Sequence, residues 1–222
     1  MKLLTHVLFT LTAITSLAAS SLAADHPKGP NLPPDAALKK LLAGNARFAS
    51  GSVAHPNQGS GRRAEVAKGQ KPFAIVVGCA DSRTSPEVVF DQGLGDVFVT
   101  RLAGSIVDDA ALGSIEYAIA HLGASVIVVL GHERCGAVDA AMKGGSVPGK
   151  IGAVVRPILP AVRAVKKSAT PTLDAAIDEN ARRVAAGLAG RSKIVADAVK
   201  AGNLKITAAR YDLDSGRVTL VQ

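Results

Sequence analysis

The sequence predicts one α/β domain: a mainly parallel central sheet flanked by helices, with an antiparallel hairpin at its C-terminal edge. Three observations carry this. Apolar runs at 73–78 and 125–131, and a shorter one opening 97–101, read as strands buried on both faces, the pattern of parallel sheets. Between the second and third, residues 108–122 place Ala111, Ile115, Ala118, Ile119 and Leu122 at helical spacing. Strand, helix and strand in that order make a right-handed crossover unit. Finally, Asp214-Ser215-Gly216 separates strand-like segments at 204–211 and 217–221, a hairpin signal.

The remaining elements follow in chain order. Lys2 supplies a positive start, residues 3–19 are mostly apolar, and Ser21-Leu22-Ala23 offers small residues where a signal peptidase cuts. Residues 1–23 are therefore expected to be a signal peptide, with export to the periplasm or secretion. A membrane anchor is the alternative. The apolar run is short for a span and leads into a Pro/Gly-rich stretch, which favours cleavage. Residues 24–33 read as a flexible lead-in and 34–222 as the single domain. Pro34-Asp35 opens a helical pattern with Leu38, Leu41, Leu42 and Phe48 near one face. Residues 55–63 read as a polar loop, and 64–69 as a short helical turn. Helices are expected at 153–165, disturbed by Pro157 and Pro160, and at 173–188 and 192–201.

Composition narrows the function classes. The chain has 222 residues, 48% of them apolar, which suits one folded domain with a sizeable core. Aromatics make up only 3% and Trp is absent, so Ala, Val, Ile and Leu must build that core. The net charge is +8, yet Lys and Arg are scattered, with no dense basic block and no aromatic-rich motif. Nucleic acid is therefore not an expected partner.

Two strand ends carry the chemistry. The first reads Gly78-Cys79-Ala80-Asp81-Ser82-Arg83, and the second Gly131-His132-Glu133-Arg134-Cys135-Gly136. Ligands of open α/β sheets gather beyond the carboxyl ends of strands. Two cysteines alone in an exported chain read as a disulfide, and His132 alone as a structural histidine. Together on two strand-end loops, Cys79, His132 and Cys135 instead make a soft set suited to zinc (Zn2+), with the fourth tetrahedral position open. Asp81 lies two residues from Cys79 and can face that position. Arg83 can hold it ionised through a bidentate fork.

The motifs Cys79-x-Asp81-x-Arg83 and His132-x-x-Cys135 resemble the signature of the β-class carbonic anhydrases, and the likeness runs from about Pro34 to the C-terminus. The resemblance implies one zinc per subunit on Cys79, His132 and Cys135, and a catalytic dyad of Asp81 and Arg83. It implies reversible hydration of carbon dioxide to bicarbonate by zinc-bound hydroxide, in a homodimer or tetramer whose sites lie at subunit interfaces. It also places Gln70, Phe98 and Tyr117 in the carbon dioxide pocket. Residue patterns alone put Phe98 and Tyr117 in the core and Gln70 in a loop. His121 fits a helix end and reads as structural. Ser105 stands where many members have Asn. Some members bind inhibitory bicarbonate through a Trp, a Val and an Arg; the matching positions here are Val76, Thr84 and Arg101, so only the Arg remains. Two rival functions share the ligand set: hydrolysis of carbonyl sulfide or carbon disulfide, and zinc storage without catalysis.

Overall fold

The computed structural model describes residues 30–221. The expected signal peptide and most of the lead-in lie outside the described residues. Five strands form one sheet in the order β2-β1-β3-β4-β5: β1 Ala74–Gly78, β2 Val97–Arg101, β3 Val126–His132, β4 Lys205–Tyr211 and β5 Val218–Val221. All neighbours pair in parallel except β4 and β5, which are antiparallel.

The alternation of side chains along each strand divides the core. On one face Ile75, Val77, Ile127 and Val129 pack with residues of α4 Asp109–Ala120, α8 Leu173–Arg191 and α9 Lys193–Lys200. On the other, Ala74, Val76, Val126 and Val128 pack against Ala37, Leu38 and Leu41 of α1 Pro34–Ala49. Each large apolar side chain fully buried in this way contributes ~1.5–3 kcal/mol. Helix α1 can come close because it has Gly44 at the contact: a Cβ there would lie 1.8 Å from the Phe90 carbonyl oxygen. One turn position on, buried Asn45 donates to the carbonyls of Val89 (3.1 Å) and Gly216 (2.8 Å) and accepts from Val218 N (2.8 Å). That one amide ties α1 to the C-terminal hairpin.

Four local differences from the sequence expectations have physical causes. Helix α2 spans Ser60–Val66, starting inside the expected loop, where Arg62 donates to the Leu94 carbonyl (2.8 Å) and pairs with Glu65. The region expected as one helix at 153–165 is three pieces: α6 Gly152–Val155, a 3-10 turn Arg156–Ile158 and α7 Leu159–Val165. Pro157 and Pro160 lack the N–H groups a continuous helix needs. Two short helices were not anticipated, α3 Pro86–Val89 and α5 Gly136–Lys143. The latter buries only Val138 and Ala141, too narrow a stripe to stand out in a sequence.

The strand order sets where a site can form. The chain leaves β1 toward β2 on one side and later enters β3 on the other. The carboxyl ends of β1 and β3 therefore flank the point where the winding reverses, which opens a crevice.

Candidate metal centre

Cys79 follows directly on β1, His132 is the last residue of β3, and Cys135 is the N-cap of α5. One ligand atom from each lies within 4.8 Å of the other two. All three are buried, at 5%, 1% and 2% exposure, and both cysteines are free thiols. The disulfide alternative is thus not what the fold forms. Arg134 adopts a left-handed φ of 52°, which turns the chain sharply enough between His132 and Cys135 to bring both inward.

The imidazole is already oriented. His132 Nδ1 sits 2.8 Å from the Glu133 carbonyl oxygen, which can only accept, so Nδ1 carries the proton. That leaves Nε2 with a free lone pair. It is fully buried and has no hydrogen-bond partner. A buried, unsatisfied nitrogen facing two buried sulfurs is what a soft divalent cation would satisfy. A ring fixed through its other nitrogen is the usual supporting arrangement for a metal-binding histidine.

The two sulfurs share one easy proton loss. The Cys79 thiol is pulled down, chiefly by a hydrogen bond from the Cys135 thiol; burial opposes this, while His132 and the backbone N–H groups of Gly104 and Asp81 assist. Cys135 is pushed up by the same bond, by burial and by the negative charge on Cys79. Without a cation the pocket tolerates one thiolate and resists a second. A bound divalent ion removes that resistance.

Asp81 stands beside this group in the grip of Arg83. Arg83 Nε donates to Oδ1 at 2.9 Å and an Arg83 terminal nitrogen to Oδ2 at 2.7 Å, with the Arg83 backbone N–H also on Oδ1 at 3.0 Å. These bonds hold the carboxyl far below its ordinary range, burial pushing the other way. Asp81 Oδ2 lies 3.9 Å from His132 Nε2.

A second ring of hydrogen bonds surrounds these groups; of its residues the sequence had set apart only Thr84, Arg101 and Ser105, and it gave none of them a part in the metal site. Arg101 donates to the carbonyls of Cys79 (2.7 Å) and Asp81 (2.5 Å), and Thr84 Oγ1 to that of Asp81 (3.0 Å). The Cys79 sulfur accepts from Gly104 N (3.2 Å) and Asp81 N (3.4 Å). Ser105, left-handed at φ 53°, donates its hydroxyl to the Leu130 carbonyl at 2.8 Å. Asn180, buried on α8, donates to the Gly104 carbonyl at 2.8 Å. A signal for Asn180 was available: it is an amide on the core-facing stripe that holds Ile177 and Ala181.

The three pocket candidates are spread over separate elements. Gln70 is exposed in the loop after α2. Phe98 lies partly buried on the edge strand β2. Tyr117 is 50% exposed on α4 and stacks on His121 with ring centroids 4.9 Å apart. Residue type alone had put Tyr117 in the core; the buried stripe of α4 runs through Ala111, Leu112, Ile115 and Ala118 instead.

A family model described as carbonic anhydrase matches residues 74–218. A Mycobacterium tuberculosis protein named carbonic anhydrase 2 is 44% identical over 195 residues, covering 86% of this chain and 94% of that protein. The chain belongs to the β-carbonic anhydrase family. A Mycolicibacterium smegmatis carbonic anhydrase is likewise 44% identical, over 86% of this chain and 95% of its own length. Among solved β-carbonic anhydrases, the Coccomyxa enzyme in complex with acetazolamide superposes with a TM-score of 0.66 at 28% identity, covering 83% of this chain and 86% of that one. One of two tetrameric enzymes from Sordaria macrospora gives 0.63 at 26% identity, over 72% and 85%. β-Carbonic anhydrases depend on zinc, and Cys79, His132 and Cys135 form a group able to hold one metal ion.

Proposed function

We propose that this chain catalyses the reversible hydration of carbon dioxide to bicarbonate and a proton, with zinc held by Cys79, His132 and Cys135. The observation that carries it is the partnerless Nε2 of His132, buried against two thiols and 3.9 Å from an ionised carboxylate. Zinc bound there would supply the Lewis acidity that makes hydroxide available near neutral pH. The protein's own groups do the rest. Asp81, ionised by its fork to Arg83, is an acceptor-only group that orients the O–H of the attacking nucleophile. Arg83 also restrains the carboxylate from turning onto the metal. Zinc storage would need no such oriented pair, which counts against the storage alternative.

Gln70, Phe98 and Tyr117 complete the substrate pocket in this reading when two subunits meet, as a homodimer or tetramer. Two features support it: the exposure of Tyr117, and a strand β2 that is part-buried along its length with one open edge. Export rests on the N-terminal signal alone. Among the described residues no helix is long and apolar enough to cross a membrane.

The test is stopped-flow hydration of carbon dioxide by the zinc-loaded protein, run beside carbonyl sulfide and carbon disulfide hydrolysis. Hydration well above background is expected. Its absence, with either sulfur substrate turned over, would transfer the function to that hydrolase.

A further inference from the structure

Asn180 is a buried amide at 4% exposure, far from both sequence motifs, and the chemistry above does not use it. Its neighbours on the helix, Ile177 and Ala181, are core residues at 2% and 0% exposure. An amide in such a place costs stability unless its polar atoms are bonded. Its Nδ2 spends a bond on the carbonyl of Gly104, 76 residues earlier in the chain.

Gly104 is the pivot of the 3-10 turn Ala103–Ser105, with φ 78° and ψ 15°. Its own N–H donates to the Cys79 sulfur at 3.2 Å. The turn is fixed at further points: Ser105 N bonds the Leu102 carbonyl at 2.9 Å, and the Ser105 hydroxyl bonds the Leu130 carbonyl at 2.8 Å. A glycine in this backbone region is the freest residue available, so its orientation must come from its partners. A side chain at 104 would be strained at this φ, and its Cβ would press on Ile158 Cδ1 at 2.5 Å and Ala137 Cβ at 3.2 Å. Asn180 grips one side of the pivot and the Cys79 sulfur meets the other.

We infer that Asn180 is a positioning residue for the metal centre, holding the Gly104 N–H on the Cys79 sulfur. This rests on the reading of Cys79 as a zinc ligand. An N–H bond to a thiolate draws charge from sulfur, so less reaches the metal and its Lewis acidity rises. The same bond fixes where the sulfur stands. Outer partners of metal ligands are commonly worth ~10–100-fold in metal affinity.

The test uses Asn180→Leu and Asn180→Val, apolar side chains that lose the amide donor. Zinc affinity is measured by chelator competition, and the sulfur-to-metal charge-transfer band is read in the cobalt-substituted proteins. Both variants are expected to bind zinc ~10–100-fold more weakly. Their cobalt band should move to longer wavelength, because a more electron-rich sulfur gives up charge more easily. A purely structural Asn180 would leave that band in place. Variants with wild-type affinity and band position, in a wild-type protein that does bind metal, overturn the inference alone. A wild-type protein that binds neither metal overturns the functional reading beneath it. Should the variants not fold, cadmium-113-loaded wild-type protein still tests the Gly104–Cys79 bond that the inference requires. Scalar coupling from the metal to the Gly104 amide proton is expected, and its absence overturns the inference.

Discussion

His132 Nε2 and Asp81 Oδ2 stand 3.9 Å apart, too far to hydrogen-bond. Each is held by something else: the imidazole through Nδ1 by the Glu133 carbonyl, the carboxylate by Arg83. The gap is therefore built into the fold, and in the proposed function it separates the nitrogen that would bind the metal from the carboxylate that would orient the nucleophile.

One zinc per chain is the first consequence. The folded protein as purified should contain it in a one-to-one ratio, and chelation should free two titratable thiols. Elemental analysis finding no zinc, together with a Cys79–Cys135 disulfide in native protein, would remove the basis of the proposed function.

Asp81→Asn separates binding from chemistry. The amide keeps the size of the side chain and loses the charge, so zinc should stay bound while kcat falls on the order of a hundredfold or more. The variant also loses its ionic grip on Arg83, which is half exposed and free to swing into solvent. Full activity with zinc bound would show that the carboxylate does not orient the nucleophile.

How much of this was legible in the sequence follows from the distance between partners. The ligand set sat in two short motifs at strand ends, and the strands were readable because β1 and β3 are buried on both faces throughout. Pro157 and Pro160 announced the broken helix region. What could not be read were contacts made across the fold. Gly104 reaches Cys79 over 25 residues and Asn180 reaches Gly104 over 76, with no periodicity to mark either. Tyr117 misled for a related reason: an aromatic on an apolar helix looks like core until the helix is placed on its sheet.

Acid stability should depend on Asp91, a buried carboxylate that belongs to neither motif. It accepts from Arg47 Nε (2.6 Å), Ala54 N (3.0 Å) and His55 N (2.9 Å), tying α1 to the loop that follows it. Burial alone would raise its pKa; the two backbone N–H groups and Arg47 outweigh burial and hold it below the ordinary value. The folded form is thus the weaker proton binder. The stabilisation is present above the unfolded carboxyl value of ~3.9 and is lost as pH falls from there through the folded value. Asp91→Asn should cost roughly 2–4 kcal/mol at neutral pH, since the Arg47 charge and two N–H donors lose their acceptor. Denaturant unfolding followed across pH should show the wild-type advantage shrinking below pH ~4. An advantage that is constant through that range would refute the assignment.

Bicarbonate should act on this protein as a product and not as a switch. Shutting the site would require Asp81 to leave Arg83 and turn onto the metal, giving up two side-chain hydrogen bonds at 2.7 and 2.9 Å. An anion drives such a change only by binding the closed arrangement more tightly than the open one. Of the three positions that match the bicarbonate site of some members, only Arg101 is charged, and it is engaged, donating to the carbonyls of Cys79 and Asp81. Its companions Val76 and Thr84 offer no replacement charge, and Thr84 spends its hydroxyl on the Asp81 carbonyl. Asp81 is therefore expected to stay with Arg83 at neutral pH. Hydration rates measured against added bicarbonate, at fixed pH and ionic strength, should fall along a shallow non-cooperative curve. Arg101→Gln should not restore cooperativity; it should loosen the Cys79–Thr84 loop and weaken zinc retention ~10-fold or more. Steep cooperative inhibition of the wild type, or a neutral-pH crystal structure with Asp81 on zinc, would show that the closed state is within reach after all.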